Sequence, residues 1–194
     1  AALAELGPPL ISDEIYHGLE YERPAPSVLE VTDRAFVLDG FSKRYAMTGW
    51  RLGWLVAPRR YVRPLQALQQ NLYICAGSVA QWAGLAALRE GDGAVAAMRA
   101  EYARRREVML AGLRSLDLPV PAPPAGAYYV LADARHLGRD SVRLASTLLI
   151  EAGVCVTPGA DFGPAAEGHL RFSFAGAVER IAVGIERLRA WLAR

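Results

Sequence analysis

The sequence predicts an α/β fold: a mostly parallel sheet with flanking helices, followed by a smaller α+β unit. Three observations carry this. Short apolar runs without strict alternation recur in the first third of the chain; helix-spaced apolar residues fill the middle; a proline cluster within Leu118–Gly126 precedes a second set of short strands and helices. A strand covered on both faces is apolar along its length, whereas a helix repeats its apolar positions every three or four residues.

Leu10–Ile15 reads as a buried strand, Arg34–Asp39 as a second and Leu52–Ala57 as a third, stopped by Pro58. Tyr61–Tyr73 and Val79–Arg89 carry helical spacing, with Ser78 as N-cap of the latter. Asp92, inside Gly91-Asp92-Gly93, is expected to cap a long helix from about Ala94 to Leu116, with Arg104-Arg105-Arg106 on a solvated face. Pro119, Pro121, Pro123 and Pro124 exclude helix beyond it. A strand at Ala127–Ala132, a helix at Ser141–Ala152, strands at Val154–Thr157 and His169–Phe174 and a last helix from Val178 complete the reading. The expected domains are residues 1–105 and 106–194.

Composition bounds the function. Hydrophobic residues make up 53% and charged residues 22%, an ordinary globular balance. A formal charge of +2 gives no electrostatic reason to expect nucleic acid or an acidic membrane surface. Cys75 and Cys155 lie far apart in no metal-ligand spacing, and His136 and His169 have no spaced partners, so no metal site is expected. A reducing, cytoplasmic compartment is the expectation. The chain opens on Ala1 and reaches a strand almost at once, so a fragment of a longer polypeptide is expected.

Several residues suit chemistry. Asp13 and Tyr16 stand where the first strand ends, and catalytic groups in open α/β sheets gather at the carboxyl ends of strands. Lys43 follows the second strand within Phe41-Ser42-Lys43-Arg44; a partly desolvated amine there is nucleophilic toward an aldehyde, while a surface lysine is the plainer alternative. Arg51, in Thr48-Gly49-Trp50-Arg51-Leu52-Gly53, has a planar fork suited to a phosphate or, equally, to a surface ion pair. His17 reads as solvent-facing; Trp50 and Trp54 read as packing residues.

The order and spacing of these stretches carry a resemblance. Ser12-Asp13-Glu14-Ile15-Tyr16, then Ser42-Lys43, then Gly49-Trp50-Arg51-Leu52-Gly53 resemble the signature of class I/II aminotransferases of fold type I, which depend on pyridoxal 5′-phosphate (PLP). Downstream, Gly126-Ala127-Tyr128-Tyr129, the segment Val154–Gly163 and His169–Ser173 are similar to further motifs of the same family. The resemblance implies that this is the C-terminal half: the C-terminal part of the PLP-binding large domain, then the small domain. It implies that Lys43 holds the cofactor as a Schiff base and later moves the substrate proton. By the same resemblance Asp13 pairs with the pyridine nitrogen, Tyr16 bonds the ring's 3′-oxygen, Ser42 and Arg51 hold the phosphate, and Arg171 clamps the substrate carboxylate.

The implied reaction moves an amino group between an L-amino acid and a 2-oxo acid, within a homodimer. Two alternatives share the fold: a PLP carbon–sulfur β-lyase, and the PLP-fold sensor half of a transcription regulator. Motifs closer to the aminotransferase side favour the transferase. The chain alone is expected to bind PLP weakly and to transaminate negligibly, because the family supplies further cofactor contacts from an N-terminal segment and a partner subunit. Tyr128 and the loop from Thr157 to Phe162 are expected contributors to substrate choice.

Overall fold

A computed structural model describes residues 7–194, so the first six residues of the expected first domain lie outside the described residues. The chain divides into two compact units, the first ending at Arg99 and the second running from Ala100 to Arg194. The dividing point lies inside one long helix.

The first unit holds a three-stranded sheet in the order β1-β2-β3: β1 is Leu10–Asp13, β2 Ala35–Gly40 and β3 Gly53–Val56. β1 pairs with β2 in parallel, from Leu10 opposite Ala35 to Asp13 opposite Leu38. β2 pairs with β3 antiparallel, from Val37 opposite Val56 to Gly40 opposite Gly53. The mostly parallel expectation therefore resolves here into one parallel and one antiparallel pairing. The direct loop from Phe41 to Leu52 is the cause, since a parallel return needs a crossover connection.

Among the described residues the outer strands of this sheet are open on one side. Ile11 of β1 is 73% exposed, and Trp54, Leu55 and Val56 of β3 are 39–41% exposed. Only the middle strand alternates toward a core, with Ala35, Val37 and Gly40 buried. Phe41, Met47, Leu19, Ala80 and Val95 join Ala35 and Val37 among the buried residues of this unit.

β1 ends at Asp13 rather than Ile15, because the Ile15 N–H turns back to the Asp13 carboxylate at 3.2 Å instead of continuing the ladder. Helix α1 spans Arg59–Leu72, α2 Ser78–Glu90 and α3 Asp92–Ser115. Ser78 is the first residue of α2 and Gly77 its cap, without a side-chain bond. Asp92 likewise opens α3 instead of capping it from outside, because the ladder already starts with Val95 N–H donating to Gly91 O at 3.0 Å. Its carboxylate in the first turn suits the positive end of the helix dipole.

The second unit has β4 (Tyr129–Asp133), α4 (Ser141–Thr147), a π-helical turn (Leu148–Ala152), β5 (Thr157–Pro158), β6 (His169–Ser173) and α5 (Val178–Leu192). Its sheet runs β4-β6-β5 and is antiparallel throughout. Asp140 caps α4 through Arg143 N–H at 2.9 Å. The strand expected from Val154 shrinks to two residues, because Val154 N–H closes the preceding helix by donating to Leu148 O at 3.1 Å. The strand expected from Ala127 starts at Tyr129, because Ala127 has φ of 58°, outside the extended region.

The core here gathers Met109, Leu113, Val130, Leu148, Leu170, Phe172, Phe174 and Leu188. The arginine run is not uniformly solvated. Arg104 is 58% exposed at its side chain, but Arg105 is 20% exposed and Arg106 13%. Arg105 is drawn in by the Ala175 carbonyl at 2.6 Å and by Glu101. Among the described residues no helix is long and apolar enough to cross a membrane.

Candidate active site

In the first unit the pairing registers gather three loops at one end of the sheet. β1 and β2 run in parallel, so the turn after Asp13 and the loop after Gly40 leave the same edge; β3 runs back, so the residues entering it lie there too. Asp13 and Tyr16 (after β1), Ser42 and Lys43 (after β2) and Arg51 (before β3) thereby share one sheet end. At that end Gly40 and Gly53 face each other so closely that a Cβ on Gly40 would fall 2.8 Å from Gly53 Cα. Phe41 N–H donates to Leu52 O at 3.2 Å and ties the start of the Lys43 loop to its end.

Asp13 is exposed and its carboxylate accepts from the Ile15 N–H. Two turn bonds, His17 N to Glu14 O at 2.8 Å and Leu19 N to Tyr16 O at 3.0 Å, carry Tyr16 around the corner. The Lys43 ammonium lies 5.9 Å from the centre of the Tyr16 ring, within reach of a cation–π attraction. Lys43 and Ser42 are half-buried. Arg51 adopts left-handed backbone angles, φ 51° and ψ 47°, at the end of a 3-10 turn (Thr48–Trp50). Such a conformation costs a non-glycine residue roughly 1 kcal/mol. Its guanidinium donates to Thr48 O at 2.9 Å, and the side chain is otherwise exposed.

Trp54 meets the buried Phe41 edge-on at 5.2 Å, while Trp50 is 45% exposed. His17 is not simply solvent-facing. Its side chain is 28% exposed, and its Nδ1 lies 3.4 Å from a Glu14 carboxylate oxygen. Burial pushes the Glu14 carboxyl up, but hydrogen bonds from Val28, Ser27 and Ser12 and the nearby His17 outweigh it and hold the group below the ordinary glutamate value. At Asp39, beside the same loop, burial prevails over the Gly40 hydrogen bond and the nearby charges and raises the carboxyl.

Arg171 belongs to the second unit, in the middle of β6 between Leu131 of β4 and Thr157 of β5. Its guanidinium lies 4.2 Å from the Tyr129 ring centre and 4.8 Å from that of Phe162, and one Nη donates to the Thr157 hydroxyl at 3.1 Å. Thr157 and Phe162 are expected from the sequence to contribute to substrate choice; the ring of Tyr129 beside Arg171 is not marked by its sequence context. The Tyr128 ring lies between those of Tyr102 and Tyr129, tilted against both, with centres 5.4 and 4.7 Å away.

Lys43 is the only lysine in the chain, since 21 of the 22 basic residues are arginine. Arginine stays protonated in proteins and cannot attack an aldehyde, so Lys43 is the one side-chain amine these residues offer to a carbonyl group. Among the described residues no cluster of three or more His, Cys, Asp or Glu could hold a metal ion.

Comparison with known proteins agrees with this arrangement of strands and loops. The family model described as aminotransferase class I and II matches residues 1–188. The valine–pyruvate aminotransferase of Mycobacterium tuberculosis is 42% identical over 191 residues, which cover 94% of this chain and 48% of that protein. The aspartate/prephenate aminotransferase of Thermus thermophilus is 39% identical over 189 residues, covering 95% of this chain and 48% of that protein. The crystal structure of an aromatic aminotransferase from Pyrococcus horikoshii superposes with a TM-score of 0.94 at 35% identity, covering 99% of this chain and 53% of that one. The chain spans about half the length of the curated relatives it matches. With a family model running over nearly its whole length, the chain belongs to the aminotransferase class I and II family.

Proposed function

We propose that this chain supplies the lysine-bearing half of a PLP-dependent aminotransferase that moves an amino group between an L-amino acid and a 2-oxo acid. The observation that carries the reading is the convergence of Asp13, Tyr16, Ser42, Lys43 and Arg51 at one sheet end, with the chain's only lysine beside the Tyr16 ring. The donor set fits the cofactor's chemistry: an amine for its aldehyde, a carboxylate for its ring nitrogen, a phenol for its ring oxygen, and a hydroxyl with a guanidinium for its phosphate. PLP, when bound, supplies an electron sink for negative charge at the substrate α-carbon.

The chain's own residues do the rest. Lys43 Nζ would hold the cofactor through its aldehyde carbon, and the same amine would take the proton from the substrate α-carbon. Asp13 keeps a proton on the pyridine nitrogen, so positive charge stays where electrons are withdrawn. The Tyr16 hydroxyl donates to the ring oxygen. Ser42 and Arg51 hold the phosphate, Arg51 through a fork that lysine cannot reproduce. Arg171 takes the substrate α-carboxylate in the same bidentate manner. Anchoring at both ends matters because misplacing reacting atoms by about 1 Å costs on the order of a hundredfold in rate.

The relatives act, by their names, on valine and pyruvate or on aspartate and prephenate, and amino-group transfer is what they share. A homodimer in the cytoplasm belongs to this proposal. The test is an assay of the full gene product with PLP, a panel of L-amino acids and 2-oxoglutarate. One equivalent of glutamate should appear for each equivalent of new 2-oxo acid. Release of pyruvate and free ammonia from cystathionine, with no glutamate formed, would contradict the reading.

A further inference from the structure

Glu14 is charged, buried and unused by the chemistry proposed above. Its side chain is 7% exposed. One carboxylate oxygen accepts from the Ser12 hydroxyl at 3.0 Å and from the Val28 N–H at 2.8 Å, and the other lies 3.4 Å from His17 Nδ1. These partners sit on β1, on the turn after it, and on a 3-10 turn (Val28–Glu30) fourteen residues further on. The backbone of Glu14 is fixed as well: its N–H donates to Leu38 O and its carbonyl accepts from His17 N–H, both at 2.8 Å.

Burying a carboxylate is unfavourable unless it is well bonded, and a simple turn does not require one. Successive strand side chains point to opposite faces, so Ser12 and Glu14 face one way and Asp13 the other. The Glu14 carboxylate therefore acts from behind Asp13, not on the cofactor side. It sits at the start of the turn that ends in Tyr16 and His17.

We propose that Glu14 is a positioning residue: by anchoring the turn after β1 to Val28 and His17, it sets the direction of the Asp13 carboxylate and the placing of the Tyr16 ring beside Lys43. The proposal rests on the reading that Asp13, Tyr16 and Lys43 contact PLP. It differs from a purely structural role in what it predicts for folded protein. Loosening the anchor should disturb the two groups that tune the lysine–cofactor bond, even where the fold survives.

The experiment uses the full gene product as wild type, Glu14→Gln and Glu14→Ala, kept well below each protein's unfolding temperature. Three quantities are read: the pH midpoint of the absorbance change of lysine-held cofactor, kcat, and KM for the amino donor. Glutamine keeps an oxygen for Ser12 and Val28 but loses the charge beside His17, so kcat should fall about threefold. Alanine removes every contact; kcat should fall about thirtyfold, within the range a sub-ångström displacement produces. The spectral midpoint should move in the same order.

If both variants fold and keep the wild-type midpoint and kcat, the proposal is overturned. Should the alanine variant not fold, the glutamine variant decides alone, and wild-type values there overturn it equally. Failure of the underlying reading looks different: the wild type itself would then show no lysine-held cofactor.

Discussion

Arg171 lies with its guanidinium carbon 4.2 Å from the centre of the Tyr129 ring. Phe162 is 4.8 Å away, and Thr157 takes one of its N–H groups. Rings at this range attract the cation and restrict rotation of its plane, an effect of about 0.5–2 kcal/mol. In the proposed site Arg171 takes the substrate carboxylate, so Tyr129→Leu in the full gene product should raise KM for the amino donor about threefold to thirtyfold and leave kcat nearly unchanged. Steady-state kinetics checks this. Arg171→Lys keeps the charge but loses the fork, and should lower kcat/KM about a hundredfold, the scale of lost charge-assisted hydrogen bonds.

Tyr16 offers Lys43 a ring at 5.9 Å and, in the proposed site, offers the cofactor a hydroxyl. Tyr16→Phe separates the two. The ring stays, so cofactor should remain bound; one hydrogen bond to a charged oxygen is lost, so kcat should fall about tenfold. A pH titration of the cofactor absorbance should shift in the same variant.

Gly159 has no room for a side chain. A Cβ there would lie 1.8 Å from the Ala166 carbonyl oxygen and 2.7 Å from that of His169, both backbone atoms. Backbone cannot swing aside as a flexible side chain can. Gly159→Ala should destabilise by about 3 kcal/mol, the upper part of the overpacking range. Urea unfolding of the full gene product reads this as a lower midpoint.

Glu167 gives a pH-dependent prediction. Its carboxylate accepts from Ser141 N–H at 2.7 Å and from Gly168 N–H at 2.9 Å. The Ser141 backbone bond first, then the Ser141 hydroxyl and the Gly168 bond, hold its carboxyl below the ordinary value of 4.5. A carboxyl that is more acidic folded than unfolded stabilises the fold above its unfolded value, and this is lost as pH falls through the folded value. Glu167→Gln should be less stable than wild type at pH 7, and the gap should narrow below pH 4.5. Thermal unfolding at the two pH values measures it.

Much of the strand and helix order was legible because apolar runs and punctuating Pro and Gly are local signals. Boundaries were misread where one backbone group chose a non-ladder partner, as Ile15 N–H did with Asp13 and Val154 N–H with Leu148. Ala127 was misplaced for a similar reason, since its left-handed backbone leaves no mark in composition. The exposure of β3 is not written in its apolar run, because such a run does not say what lies against it.

In the candidate site, Asp13, Tyr16, Ser42, Lys43 and Arg51 were legible as types in order. Their meeting at one sheet end follows from pairing register, which no single stretch encodes. Glu14 was not legible as a buried anchor, because its partner Val28 is fourteen residues away and contributes only a backbone N–H. The rings around Arg171 were missed because Tyr129 and Phe162 reach it across strands and loops.

The covalent attachment itself can be read directly. The full gene product, incubated with PLP, reduced with sodium borohydride and digested, should carry the pyridoxyl phosphate mass on the peptide containing Lys43, and Lys43→Ala should abolish that label. A label retained in full by the Lys43→Ala protein, or none in the wild type, would contradict the account.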